Sequence, residues 1–231
     1  RYSGIKVDNI LRKTSPLKMA LRLCYAGMRD INLLADITNY VMLELGQPMH
    51  AFDSEKVSSI RVVNAKENEK LLTLDNIEYD IPKNAILIED GSYTPVAIAG
   101  IKGGLKASIS DSTKNVLFES ATFDSSTIRK TSRSIGLVTD ASQRYEKSLD
   151  PEMTKLALER IVKLLLYLDS NAKVSSSFSD EYTKKYDTKV ITINEDFISS
   201  RIGEKITTNQ IVKILTNLKF DVKLNEKDIV V

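Results

Sequence analysis

The 231-residue sequence contains no tryptophan, one cysteine (Cys24) and one histidine (His50). A single cysteine excludes an internal disulfide framework, and one cysteine with one histidine excludes an ordinary zinc site. Neither charge sign dominates: 33 Lys and Arg stand against 31 Asp and Glu, a net charge of +2. That balance supplies no global electrostatic argument toward nucleic acid or membrane. Apolar runs are short; Leu164-Leu165-Leu166-Tyr167-Leu168 falls far below the roughly 20 residues of a membrane helix. No signal-peptide pattern opens the chain, and Arg1 in place of Met sets the expectation of a piece of a longer, soluble, cytoplasmic protein.

Familiar catalytic motifs are missing too. Gly100-Ile101-Lys102-Gly103-Gly104 has neither the spacing nor the Lys-Ser/Thr of a nucleotide-binding loop. No second histidine exists for a zinc hydrolase, and no nucleophile elbow gives His50 a serine partner.

What the sequence does have is local patterning. Residues 1–29 carry Arg1, Lys6, Arg12, Lys13, Lys18, Arg22 and Arg29 against Asp8 alone, and a second basic stretch holds Arg129, Lys130, Arg133, Arg144 and Lys147. Such patches suit phosphates, and they equally suit solvated helix faces. Ser15-Pro16 predicts a helix start and Gly27 its end, with Cys24 packing in the core beside Leu17 and Leu21. Further helices are expected over 36–45, stopped by Gly46, and from Asp124 to Gly136. Asp150-Pro151-Glu152 opens another, with Leu156, Ile161, Leu164, Leu165 and Leu168 as its buried stripe. Between residues 58 and 121 short apolar runs alternate with Asp-Asn, Pro-Lys-Asn and Asp-Gly turn chemistry. Strands not alternated with helices predict an α+β fold: a largely antiparallel β core, three-layer and sandwich-like, flanked by helices. The Ser-rich run from Ser175 through Tyr186 reads as a linker or irregular crossing, followed by strand, helix, capped helix and strand.

Four places carry chemistry. His50 lies just beyond the second helix, where a loop could present it to a cleft, although a lone histidine is more often structural. Glu119 is a carboxylate on the otherwise apolar run Val116 to Ala121, and a buried carboxylate must be paired or used. An ion pair with a nearby Lys or Arg is its plain explanation. Thr38-Asn39 has a capping explanation and Gly100 a tight-turn one.

The residues Asp36 to Asp53, including Thr38-Asn39-Tyr40 and Gly46-Gln47-Pro48-Met49-His50-Ala51-Phe52-Asp53, resemble the signature of the bacterial phenylalanyl-tRNA synthetase β subunit. Pro95 to Gly100 with Gly103-Gly104, Leu117 to Asp124, and Thr139 to Glu146 closing on Asp150-Pro151 follow in that family's order. The resemblance implies an editing domain over residues 1–185. It also implies that residues 186–231 are the incomplete start of the next module, small, helical and of DNA-binding-like shape.

The implied activity is hydrolysis of tyrosine mischarged onto tRNA(Phe), within an enzyme that attaches phenylalanine to that tRNA. A hydrophobic pocket rejects an added hydroxyl by only about a hundredfold, so a second site that bonds the hydroxyl is chemically sensible. By the resemblance, Glu119 reads the phenol hydroxyl and Gly100 gives close backbone approach. His50, Thr38 and Asn39 stand at the reacting ester, Thr139 and Ala141 line the amino-acid pocket, and Arg29 meets the substrate or RNA end. No cofactor or metal is implied for this region; ATP and Mg²⁺ serve the complete synthetase. The implied partners are the tRNA 3′ end and a synthetase α subunit, in a heterotetramer of two α and two β subunits, with no membrane. The alternative is a non-catalytic module that grips tRNA or assembles the subunits.

Overall fold

In the computed structural model, which describes residues 1–183 and 185–231, the chain opens on strand β1 (Tyr2–Asp8). Helix α1 (Leu17–Tyr25) follows Pro16, and Gly27, at φ +80°, ends its last turn as the Gly27 signal predicts. Ser15 does not cap α1; its hydroxyl donates to Asp36 at 2.6 Å. Helix α2 (Leu33–Leu45) begins three residues before the expected start, because the Asn32 side chain accepts the Ala35 N–H at 2.9 Å. Gly46, at φ +74°, stops α2, and β2 (Met49–Asp53) follows directly.

The middle of the chain is β3 (Ile60–Asn64), β4 (Glu69–Leu72), β5 (Glu78–Ile81), β6 (Ile86–Asp90), β7 (Pro95–Ile98), β8 (Lys102–Gly103) and β9 (Val116–Ala121). Asp124 caps α3 (Ser125–Ser134), a reciprocal Thr139–Ser142 box caps α4 (Asp140–Tyr145), and α5 (Met153–Leu168) follows. Short strand β10 (Lys173–Val174) precedes the run expected to be irregular, β11 (Ser179–Glu181) lies inside it, and residue 184 of that run lies outside the described residues.

The described residues divide into two units, 1–183 and 185–231. The first holds a sheet of order β10-β1-β9-β2, with β11 also on β1, and a second sheet of order β3-β6-β7-β8 beside the β4-β5 hairpin. Every pairing is antiparallel. The first sheet is covered on both faces, which is why its strands carry so many apolar residues. Val7, Ala51, Val116 and Phe118 pack beneath α1, α2 and α5, against Leu23, Ile37, Val41, Leu158 and Ile161. On the other face Phe52 and Ala121 pack against Leu87, Ile88, Val96 and Ile98 of the second sheet, with Ile128 of α3 and Tyr145 of α4. The result is helices, sheet and sheet in three layers, the expected α+β class. Each fully buried side chain such as Phe52, Phe118 or Ile161 contributes about 1.5–3 kcal/mol.

Three packing expectations are corrected. Cys24 is exposed, as are Leu17 and Leu21; α1 docks through Met19 and Leu23 on its other apolar edge. In α5, Leu156 is exposed and Ala157 and Leu158 pack in the core instead, while Ile161 and Leu165 are buried and Leu164 and Leu168 pack partly buried against the same cluster, as expected. His50 is on a strand, not a loop.

The second unit is not purely helical. It carries β12 (Thr192–Asn194), α6 (Glu195–Ile202), α7 (Thr208–Asn217), β13 (Lys223–Asn225) and β14 (Asp228–Val230), the strands forming an antiparallel sheet of order β12-β14-β13. Asn194 caps α6, and the predicted Thr207–Gln210 box caps α7.

Candidate functional site

β9 is an inner strand of the first sheet, and its register decides the site. On one side β2 places His50 directly opposite Glu119; on the other β1 places Gly4 opposite Glu119 and Tyr2 opposite Ala121. Alternation then puts Tyr2, His50, Phe52 and Glu119 on one face, the face that meets the second sheet. Pro48, Gly100, Lys102, Ala141 and Tyr145 join His50 and Glu119 around a cleft of about 70 Å³.

Glu119 is buried, at 4% exposure, and no Lys or Arg pairs with it among the described residues. The plain ion-pair explanation is therefore replaced by a hydrogen bond: Tyr2 Oη donates to Glu119 Oε2 at 2.6 Å. Burial pushes the carboxyl up to about 7, and the Tyr2 bond opposes that rise. Burial also drives the Tyr2 and Tyr145 phenols well above their ordinary range, an effect the nearby Glu119 charge reinforces. Burial lowers His50 to about 4, so its imidazole is neutral near pH 7 and offers a lone pair. Its ring meets Phe52 edge-on at 4.4 Å.

Two glycines make room. A Cβ on Gly103 would stand 2.7 Å from His50 Cε1, so the imidazole rests against bare backbone of β8. Gly100, at φ +67°, is required by its backbone, and a Cβ there would stand 2.8 Å from Tyr145 Cδ2. The His50 and Glu119 side chains thus diverge, the imidazole toward β8 and the carboxyl toward β1. Gln47 braces the connection into β2 by donating to Ala121 O at 2.8 Å, and Tyr145 Oη donates to Pro48 O at 3.3 Å.

The B3/4 domain model matches residues 1–170. This chain belongs to the B3/4 domain family. All of it aligns with 29% of the phenylalanine–tRNA ligase beta subunit of Carboxydothermus hydrogenoformans, at 40% identity over 233 residues. The corresponding subunit of Clostridium acetobutylicum is 38% identical over 226 residues, covering 97% of this chain and 28% of that protein. The chain therefore spans less than a third of the relatives it matches. An N-terminal fragment of the phenylalanyl-tRNA synthetase beta-subunit from Pyrococcus horikoshii aligns with TM-score 0.49 at 13% identity, covering 100% of this chain and 63% of that one.

Within this B3/4 domain, His50, Glu119, Gly100 and Ala141 come together at one cleft. Thr139 stands beside it, its hydroxyl donating to Ile101 O at 3.0 Å while it caps α4. Thr38, Asn39 and Arg29 are not part of the lining. Thr38 is a buried residue of the second turn of α2, donating to Ala35 O at 2.7 Å, so neither it nor Asn39 caps that helix. Arg29 is exposed in the segment between α1 and α2. Sequence reasoning missed Tyr2, Tyr145 and Gly103. The signal for Tyr145 was available, since it lies six residues into the Thr139 cap motif, on the helix face shared with Ala141.

Chemically, the B3/4 cleft pairs a neutral imidazole with a carboxyl poised between charge states. It can hold a polar ligand hydroxyl at one end and a water at the other. Among the described residues no helix is long and apolar enough to cross a membrane.

Proposed function

We propose that this cleft is an editing site that hydrolyses tyrosine from mischarged tRNA(Phe), within a synthetase that attaches phenylalanine to that tRNA. The carrying observation is the His50–Glu119 cross-strand pair at one cleft, with a buried carboxyl that no cation neutralises. Tyrosine differs from phenylalanine by one hydroxyl. Glu119 lines the cleft and accepts that hydroxyl through Oε1, the oxygen that Tyr2 does not hold, whereas phenylalanine would leave that oxygen without a donor at a cost of about 1–3 kcal/mol.

At the other end neutral His50 accepts a hydrogen bond from a water, whose oxygen attacks the ester carbonyl. The carbonyl–ribose C–O bond breaks, and the departing ribose oxygen takes up the proton that the attacking water gives up, giving free tyrosine and uncharged tRNA. Gly100 and Ala141 bound the space for the aromatic ring, and Thr139 fixes its α4 side. Thr38 and Asn39 are assigned to the ester end and Arg29 to the substrate or RNA end, all three from outside the lining. The tRNA 3′ end and a synthetase α subunit are the proposed partners, in a cytoplasmic heterotetramer. ATP and Mg²⁺ belong to aminoacylation elsewhere in that assembly.

The test is His50→Ala in the complete synthetase. Phenylalanine charging is expected to stay nearly unchanged, while net tyrosyl-tRNA rises as hydrolysis falls by about a hundredfold. A parallel loss of charging would make His50 a structural residue of the whole subunit. The basic excess of residues 1–29 favours a second reading, a module that only grips tRNA. That reading requires His50→Ala to leave mischarging untouched.

A further inference from the structure

We propose that Tyr2 is the positioning residue of this site: its phenol holds Oε2 of Glu119 from outside the cleft and so presents Oε1, as a charged acceptor, to the hydroxyl of a bound phenol. The proposal rests on the editing reading for the identity of that bound phenol, and on the Tyr2–Glu119 contact alone for the positioning.

The register makes the contact specific. Gly4, not a side chain, stands directly across from Glu119 on β1, so the diagonal neighbour Tyr2 reaches the carboxyl unobstructed. The 2.6 Å separation falls in the range of a hydroxyl donating to a charged carboxylate. Tyr2 is absent from the cleft lining, whereas Glu119 is part of it, so Oε2 is held by a side chain from outside the lining. Among the described residues no donor engages Oε1.

The other ionisable groups near the carboxyl do not substitute for Tyr2. His50 on β2 is neutral near pH 7, and Tyr145 on α4 donates to Pro48 O. Lys102 on β8 lines the same cleft, but its ammonium lies 3.5 Å from the Asp75 carboxylate. Tyr2 is therefore the described group that favours the charged form of Glu119 against its burial. A charged acceptor forms hydrogen bonds roughly twice as strong as a neutral one, which is the property a phenol-reading site needs.

The experiment compares the complete wild-type protein with Tyr2→Phe, which removes the donor and keeps the ring that tilts against Phe123. A difference infrared titration follows the Glu119 carboxyl, assigned by its disappearance in Glu119→Gln. The midpoint is expected to move above its wild-type position of about 7 in Tyr2→Phe. Site-specific Tyr2→3-fluorotyrosine, a stronger donor, should move it below that position, and this variant decides the matter if Tyr2→Phe does not fold.

In hydrolysis of tyrosyl- against phenylalanyl-tRNA, Tyr2→Phe should reduce the preference by about tenfold, with the pH limb shifting in step with the carboxyl. A carboxyl midpoint unmoved in both variants overturns the proposal. So does an unchanged preference alongside a moved carboxyl. A wild-type protein that hydrolyses neither ester sinks the editing reading instead, and the infrared titration still decides the positioning.

Discussion

Glu119 and His50 pull the folding equilibrium in opposite pH directions. Glu119 rises from an ordinary 4.5 to about 7, so the folded carboxyl keeps a proton that the unfolded one has released. Its contribution to stability is full below about pH 4.5 and is lost as pH rises through 7. His50 falls from 6.5 to about 4, so its contribution is present above pH 6.5 and lost as pH falls toward 4. Glu119→Gln keeps an acceptor for Tyr2 and removes the charge. It should stabilise the protein at pH 8 by on the order of 2–3 kcal/mol, with the gain gone near pH 5. His50→Gln should show the reverse, a relative gain at pH 5 and little at pH 8. Thermal melts at the two pH values check both. Equal gains at both would mean that neither group changes its proton affinity on folding.

The elements around the cleft are held by backbone as much as by side chains, and part of that was legible in advance. Gly27, Gly46 and Gly136 stop helices where their sequence neighbours say they should, because each takes the positive φ that L-residues avoid. The Asp124 and Thr207 caps were equally readable. The faces were not. α1 presents two apolar edges, Leu17-Leu21-Cys24 and Met19-Leu23, and only the tertiary fold selects the second. β1 and β2 escaped notice because both lie outside the stretch of closely spaced turn signals between residues 58 and 121, and so the strand status of His50 was hidden with them. Glu119 could be flagged from sequence as a carboxylate on an apolar run, but its partner, 117 positions away, is fixed by register alone.

The same close packing yields two tests. Gly103→Ala should push the His50 imidazole from β8 and cost about 1–3 kcal/mol by overpacking, since the ring is also in edge contact with Phe52. Its hydrolytic defect should exceed its loss of thermal stability. Asn32→Ala, far from the cleft, should cost about 1 kcal/mol through the lost α2 cap and leave hydrolysis at a common folded fraction unchanged. Denaturant melts beside initial hydrolysis rates separate the two behaviours.

At the scale of the whole molecule, all the cleft residues belong to the unit Arg1–Thr183, and none to the unit beyond it. The β1 edge that carries Tyr2 is closed within that unit: Arg1 pairs with Asp180 of β11 at 2.9 Å and with Glu152 before α5 at 3.0 Å. Truncation after Thr183 is therefore expected to preserve a cooperative melt and the Glu119 titration near pH 7. Loss of the melt would show that the first unit depends on the second. Activity is a different matter, because the chain spans 29% of a matched synthetase subunit and tRNA contacts extend to the remainder by the proposed reading. The most direct test is consequently made on the complete protein. Initial rates of deacylation are measured for tyrosyl- and phenylalanyl-tRNA(Phe) with the wild type and Glu119→Ala at pH 7.5. The account predicts a strong wild-type preference for the tyrosyl ester that Glu119→Ala reduces by about tenfold or more. A folded Glu119→Ala protein with an unaltered preference would contradict it.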